Sequence, residues 1–133
     1  MQKNHNIGLL ILRITLGVLM LFHGIAKITH GVEGIEGMIS SIGLPSFLAY
    51  GVYIGEIIVP LLLIIGFRTR LAALVFAFNM LVALLLVHAS DIFSLTKHGG
   101  WAVELIALYL FGAVALFFTG GGQYALSSNN KWD

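Results

Sequence analysis

The sequence predicts an all-α fold, a bundle of four transmembrane helices with antiparallel neighbours, and three observations lead there. Hydrophobic residues make up 59% of the 133 residues and charged ones only 10%, with a mean hydropathy of +0.98. A water-soluble domain carries about a quarter charged residues, so this chain cannot cover a water-facing surface, and lipid must take part of that role. The apolar residues fall into four runs, 7–28, 45–67, 71–88 and 101–119. At about 1.5 Å per residue these are lengths suited to the roughly 30 Å hydrocarbon core of a bilayer. No stretch alternates as a barrel strand would, which leaves helices as the spanning form.

The elements follow in order. The first run begins after Lys3 and continues to His23, Gly24 and Lys27. A signal peptide's apolar stretch is only about 7–15 residues, so this run is read as a retained helix. Residues 29–44 carry Gly31, Gly34, Gly37 and Gly43 with Glu33 and Glu36, and Met38, Ile39 and Ile42 suggest a short interfacial helix there. In the second run Pro60 is expected to kink the helix one turn after Glu56. Gly51 and Gly55 have the small-residue spacing of a close helix contact. Arg68-Thr69-Arg70 makes so short a turn that the second and third helices must be antiparallel neighbours. Gly99-Gly100 breaks the chain before the fourth helix, and Gly120-Gly121-Gly122 caps its end. Residues 127–133 form a polar tail. With no polar linker inside it, the chain reads as one domain, 1–133.

Other classes are excluded by composition. The chain has no cysteine, which removes disulfides, thiol relays, iron–sulfur clusters and cysteine-bound zinc, and no metal site is expected. The net charge is only +1, and no Lys/Arg cluster could track phosphates, so nucleic acid is not a partner. The basic residues do set a topology. Lys3, Arg68, Arg70 and Lys131 share one side of a four-crossing chain, against Lys27 and Lys97 on the other, which favours N-in and C-in.

Several residues are costly in lipid. A charge within a span costs about 2.5–3.5 kcal/mol on insertion scales and usually faces the bundle interior. Arg13, His23 and Lys27 lie on one stripe of the first helix at 100° per residue. Glu56 lies in the second helix, Asn79 and His88 in the third, Glu104 in the fourth. Depth counted from the helix ends suggests two layers. One is an intramembrane ion pair of Arg13 and Glu56 near Asn79. The other is a polar pocket of His23, Lys27, His88 and Glu104 at the outer edge. Asn79 and His88 are nine residues apart, on opposite faces, so both can point inward only if His88 lies beyond the helix end. For any single residue, helix-to-helix packing or capping competes evenly with a functional role. The pairing of His23 with Glu56 in one hairpin and His88 with Glu104 in the next hints at a repeated hairpin.

The residues just named resemble the DoxX/DoxD-like family of small four-helix bacterial membrane proteins. The resemblance is carried by Arg13 with Gly17, His23-Gly24-Ile25-Ala26-Lys27, Gly43-Leu44-Pro45, Gly55-Glu56, the turn from Gly66 to Ala73, His88, Glu104, and the closing Gly120-Gly121-Gly122-Gln123-Tyr124-Ala125-Leu126. It covers nearly the whole chain. The Ser-Leu-Asp common at the family's end reads Ala125-Leu126-Ser127 here. The resemblance implies a multi-pass protein of the bacterial inner membrane associated with oxidoreductases, some relatives being linked to quinone-coupled chemistry. It implies a fold better than a reaction.

Three functions compete. A quinone-linked membrane subunit could use His23, Lys27, His88 and Glu104 as hydrogen-bond and proton groups. A haem held by His23 and His88 is a less favoured variant, because lone histidines are mostly structural. A non-enzymatic scaffold or assembly partner is the alternative, and a proton or small-solute carrier the third. Expected partners are the bilayer and, for the first two functions, a soluble or membrane redox protein; a homo-oligomer would suit the third.

Overall fold

The computed structural model describes residues 3–133. Asn4 opens the first helix, its side chain accepting from the Ile7 N–H at 3.0 Å. This supplies one of the acceptors that a helix N-terminus lacks. α1 runs His5–His30, and Gly31, at φ 79°, ends it. The expected short helix is present as α2, Glu33–Ser41. After Gly43 and Pro45 the chain enters α3, Ser46–Ile65. α3 changes winding along its length. It is a 3-10 helix over Ser46–Tyr50, a single π turn over Ile54–Ile58, and α-helical over Val59–Ile65. Pro60 explains the irregularity: it has no N–H, so a carbonyl one turn earlier has no donor and the ladder resets. The winding changes in the very turn that carries Glu56.

Gly66 closes α3 in the left-handed conformation, φ 77° and ψ 38°. Its N–H and that of Phe67 both reach the Leu62 carbonyl. Arg68 follows, itself left-handed at φ 49°, and α4, Thr69–Val87, runs back antiparallel to α3. α5 is Glu104–Thr119. α1, α3 and α4 are long and apolar enough to cross a membrane, whereas α5 is a shorter apolar helix of 16 residues. At about 1.5 Å per residue that is roughly 24 Å, short of a hydrocarbon core. The fourth run was expected from residue 101. Trp101 instead pairs with Leu95 in a small hairpin, which takes the first residues away from the helix.

The long helices form a ring in the order α1, α3, α4, α5, in which sequence neighbours pack and the diagonal pairs hardly touch. Leu16, Met20, Val59, Leu63, Ala73, Phe76, Tyr109, Ala113 and Leu116 fill the centre. The outside is apolar too, with Phe22, Ile25, Ile58, Phe78, Leu85, Leu108, Phe111 and Phe118 exposed. A shell of that kind belongs in lipid. Glycines let α1 approach α3: a Cβ on Gly24 would collide with the Glu56 carbonyl oxygen, and one on Gly17 would lie 2.7 Å from that of Pro60. This is small-residue packing as membrane helices use it. Of the expected Gly51–Gly55 contact only half is made. Gly55 abuts Asn79, while Gly51 faces open space.

The start of α1, the C-terminal tail and the α3–α4 turn meet at one end of the bundle. There the tail folds back under the helices. The Leu126 N–H donates to the Ile65 carbonyl, and the Arg70 N–H to that of Trp132. The Asn6 side chain bonds to Gln123. Arg68 forms an ion pair with Asp133 at 3.0 Å, and Ser127 donates to the same carboxylate.

Candidate functional site

The opposite end of the bundle is hollow. α3 packs on α4 along Val59–Ile65, but toward Ser46 the two helices part and α2 lies across the gap. The space enclosed is about 800 Å³, within the range of small-molecule sites. Its walls are mostly apolar, from Met20, Ile35, Val52, Phe78, Ala83, Leu86 and Ile106 among others. Into it face six polar side chains: His23, Lys27, Glu56, Asn79, His88 and Tyr109.

Lys27 and Glu56 are its charged centre. Lys27 Nζ donates to both carboxylate oxygens of Glu56, at 3.1 and 2.9 Å. The Tyr53 hydroxyl fixes the end of α1 by donating to the Lys27 carbonyl at 3.2 Å. His23, one turn before Lys27, meets Tyr109 edge-on with ring centroids 6.1 Å apart, and Tyr109 in turn packs on Phe76 at 5.9 Å. Among the described residues the His23 ring, the Asn79 amide and the Tyr109 hydroxyl make no hydrogen bond to protein, so their polar atoms are left to the cavity. His88 is the non-helical cap of α4, which is how both it and Asn79 reach the same space. Its Nδ1 lies 3.5 Å from Asp91.

The expected four-residue pocket is therefore three-quarters assembled. His23, Lys27 and His88 line one cavity, and Glu104 does not. Glu104 sits exposed in the first turn of α5, beside Gly100. Glu56 supplies the acid instead. The two glutamates thus occupy unlike places, against a repeated hairpin.

The expected Arg13–Glu56 pair is not formed. Gly24 packs on the Glu56 carbonyl, and Arg13 lies eleven residues before Gly24 on α1, about 16 Å along the helix axis. That distance is beyond a guanidinium's reach. Counting inward from helix ends misjudged the level because α3 begins farther out than α1 ends. Arg13 is fully buried at the other end of the bundle. It donates to the carbonyls of Leu63, Ile64, Gly121 and Tyr124, at 2.9–3.3 Å. All four acceptors belong to helix ends or turns, whose carbonyls have no helical donor. The residues sequence reasoning missed are Tyr109 and, as cavity residues, Glu56 and Asn79. Tyr109 is one apolar-looking position in an apolar helix, and nothing in the pattern sets it apart.

Among the described residues no group of three or more His, Asp or Glu side chains converges in a way that could hold a metal ion. The chemistry available is hydrogen bonding and proton exchange around one ion pair in an apolar enclosure.

Comparison with known proteins agrees with this architecture. The DoxX family model matches residues 8–89, the stretch from α1 to the end of α4. A protein of Bacillus subtilis (strain 168) described as "Putative oxidoreductase CatD" is 38% identical over 87 residues, 65% of this chain and 64% of that protein, so the chain spans just under two thirds of it. The inner membrane protein YqjF of Escherichia coli (strain K12) is 30% identical over 142 aligned positions, 99% of this chain and all of the relative. An uncharacterized protein of Haemophilus influenzae (strain ATCC 51907 / DSM 11121 / KW20 / Rd) is 30% identical over 96% of this chain and 94% of its own length. No solved structure matches. With the apolar bundle and the near full-length similarity to an inner membrane protein, the family match establishes that this chain is a membrane protein of the DoxX family.

Proposed function

We propose that this chain is a multi-pass inner-membrane subunit of an oxidoreductase assembly and that its cavity binds a quinone. The observation that carries the reading is the pairing of an apolar enclosure of about 800 Å³ with unbonded polar groups and one ion pair at the same level. A quinone presents that mixture in reverse, a ring with two acceptor oxygens on an apolar body. His23, Asn79, Lys27 and the Tyr109 hydroxyl can each donate to such an oxygen, and Glu56 can hold or release a proton through Lys27. The parted α3–α4 seam, edged by Ile54, Phe78 and Val82, gives an isoprenoid tail a way to the lipid.

When bound, a quinone supplies two-electron, two-proton chemistry that a cysteine-free chain does not provide itself. The electrons would come from a redox partner protein, in keeping with the oxidoreductase name borne by the Bacillus subtilis relative. The orientation that suits the basic residues places both chain ends in the cytoplasm and the cavity end outside. Reporter fusions at Lys131 check it: activity of a cytoplasmic reporter supports it, and activity only of a periplasmic one reverses it.

Quinone extraction followed by mass spectrometry tests the reading. Protein purified in mild detergent should carry quinone, and Ala83→Phe, which fills the cavity wall, should lose most of it while keeping the elution profile of the unsubstituted chain. Equal traces in both proteins would leave the non-enzymatic scaffold as the better account.

A further inference from the structure

The hairpin between α4 and α5 is a built element whose apolar side chains point away from the protein. The Ala102 N–H donates to the Ser94 carbonyl at 3.0 Å, and the Thr96 N–H to that of Gly100 at 2.7 Å. The Thr96 hydroxyl accepts from the Gly100 N–H at 3.2 Å, and Gly99, at φ 91°, makes the turn. The Trp101 indole N–H is tied to the Ile92 carbonyl at 2.6 Å, so its ring has a fixed direction. Yet Phe93 is 100% exposed, Leu95 71% and Trp101 38%. Lys97 and His98 occupy the tip of the same hairpin.

We infer that this hairpin is a membrane-interface anchor: Phe93, Leu95 and Trp101 lie in the boundary between lipid headgroups and acyl chains. Three observations converge on lipid as the occupant. α5 has 16 residues, about 24 Å against a core of roughly 30 Å, so the segment preceding it must lie at membrane depth or the bilayer must thin. In the chain the exposed hairpin residues stand between other exposed apolar residues, Val87 at the end of α4 and Leu105 and Leu108 at the start of α5. Finally, the indole N–H and the amides of Ser94, Thr96, Gly99, Gly100 and Ala102 all find acceptors within this segment. This lowers the cost of seating it at the boundary, where headgroups and water can meet the remaining backbone groups. Tryptophan above an apolar belt, with a lysine to meet phosphate, is the composition favoured at that boundary.

Depth-dependent fluorescence quenching tests the anchor. The Trp132→Phe chain, with Trp101 as its one remaining indole, is reconstituted into phosphatidylcholine vesicles brominated at defined acyl positions. Trp101 emission should be blue-shifted, should be quenched most by bromines near the headgroup end of the chain, and should respond weakly to aqueous iodide. The Phe93→Ser/Leu95→Ser variant should shift quenching toward iodide. If Trp132→Phe lowers folded yield, the difference between the unsubstituted chain and Trp101→Phe gives the same reading. Strong iodide quenching with no response to any brominated lipid would overturn the anchor and turn the hairpin toward a protein partner. Strongest quenching by bromines at the chain terminus would overturn the interfacial depth.

Discussion

Lys27 Nζ lies 2.9 Å from Glu56 Oε2, an ion pair that ties the last turns of α1 to the π turn of α3. The Glu56 side chain is 9% exposed and that of Lys27 28%. Removing the lysine therefore leaves a nearly buried carboxylate alone, a loss that typically costs about 3–5 kcal/mol. Lys27→Met should lower the thermal midpoint of the purified protein sharply, and Lys27→Met/Glu56→Leu should regain part of it. Losses that simply add in the double variant would show that the two charges do not depend on each other.

Arg13 supports the opposite end. With its guanidinium gone, the carbonyls of Leu63, Ile64, Gly121 and Tyr124 lose their donor, and each buried unsatisfied group costs about 1–3 kcal/mol. Arg13→Leu should abolish most of the folded yield measured by size-exclusion chromatography. Arg13→Lys should rescue little, because one ammonium cannot match a planar fork. Adding Glu56→Leu to Arg13→Leu should bring no recovery. Recovery there would restore the ion pair first expected from the sequence.

Close packing of α1 on α3 gives a third expectation. Gly24→Ala forces a methyl against the Glu56 carbonyl, whereas Gly8→Ala on the same helix meets nothing within 4 Å. The first should destabilise by about 1–3 kcal/mol, as overpacking does. The second should be neutral or slightly stabilising through helix propensity. A thermal-shift comparison of the two variants decides it, and equal midpoints would contradict the close approach.

Asp133 makes the tail acid-sensitive. The Ser127 hydroxyl lowers its carboxyl most, burial opposes, and the Asn130 N–H and Arg68 add to the lowering, which brings it down to about 2 from an ordinary 3.8. A carboxyl depressed in the folded state adds stability that is complete above its unfolded pKa and is lost as pH falls through the folded one. The tail's hold should thus be constant above about pH 4 and should weaken from there down to about pH 2. Limited proteolysis of the tail across that range should show it, and Asp133→Asn should be cut readily at neutral pH already. A cleavage rate in Asp133→Asn that matches the unsubstituted chain at pH 7 would rule out the latch.

The all-helical apolar bundle, the tight α3–α4 turn and the stripe of α1 that carries Arg13, His23 and Lys27 were legible in the sequence because they depend on local period and hydropathy. The fourth apolar run, by contrast, falls short of the full span expected of it. Partner choice across helices was not legible. Arg13 and Glu56 look complementary on paper, but the level at which α1 meets α3 is set by Gly17 and Gly24 and by the π turn before Pro60. None of these announces its axial offset. The cavity was only half visible for a related reason. His88 enters it because α4 ends at Val87, and Glu104 misses it because residues 101–103 leave the helix for the hairpin. A shift of a few residues in a helix end thus exchanges one glutamate for another.

The central claim, a quinone site in the cavity between α1, α3, α4 and α5, is tested most directly by photoaffinity labelling with an azidoquinone in membranes, the adducts being mapped by mass spectrometry. The account predicts adducts confined to cavity residues such as Met20, Val52, Ala83 and Tyr109, and suppressed by excess unlabelled quinone. Adducts spread over the lipid-facing side chains Phe22, Leu108 and Phe118, with no suppression by competitor, would contradict it.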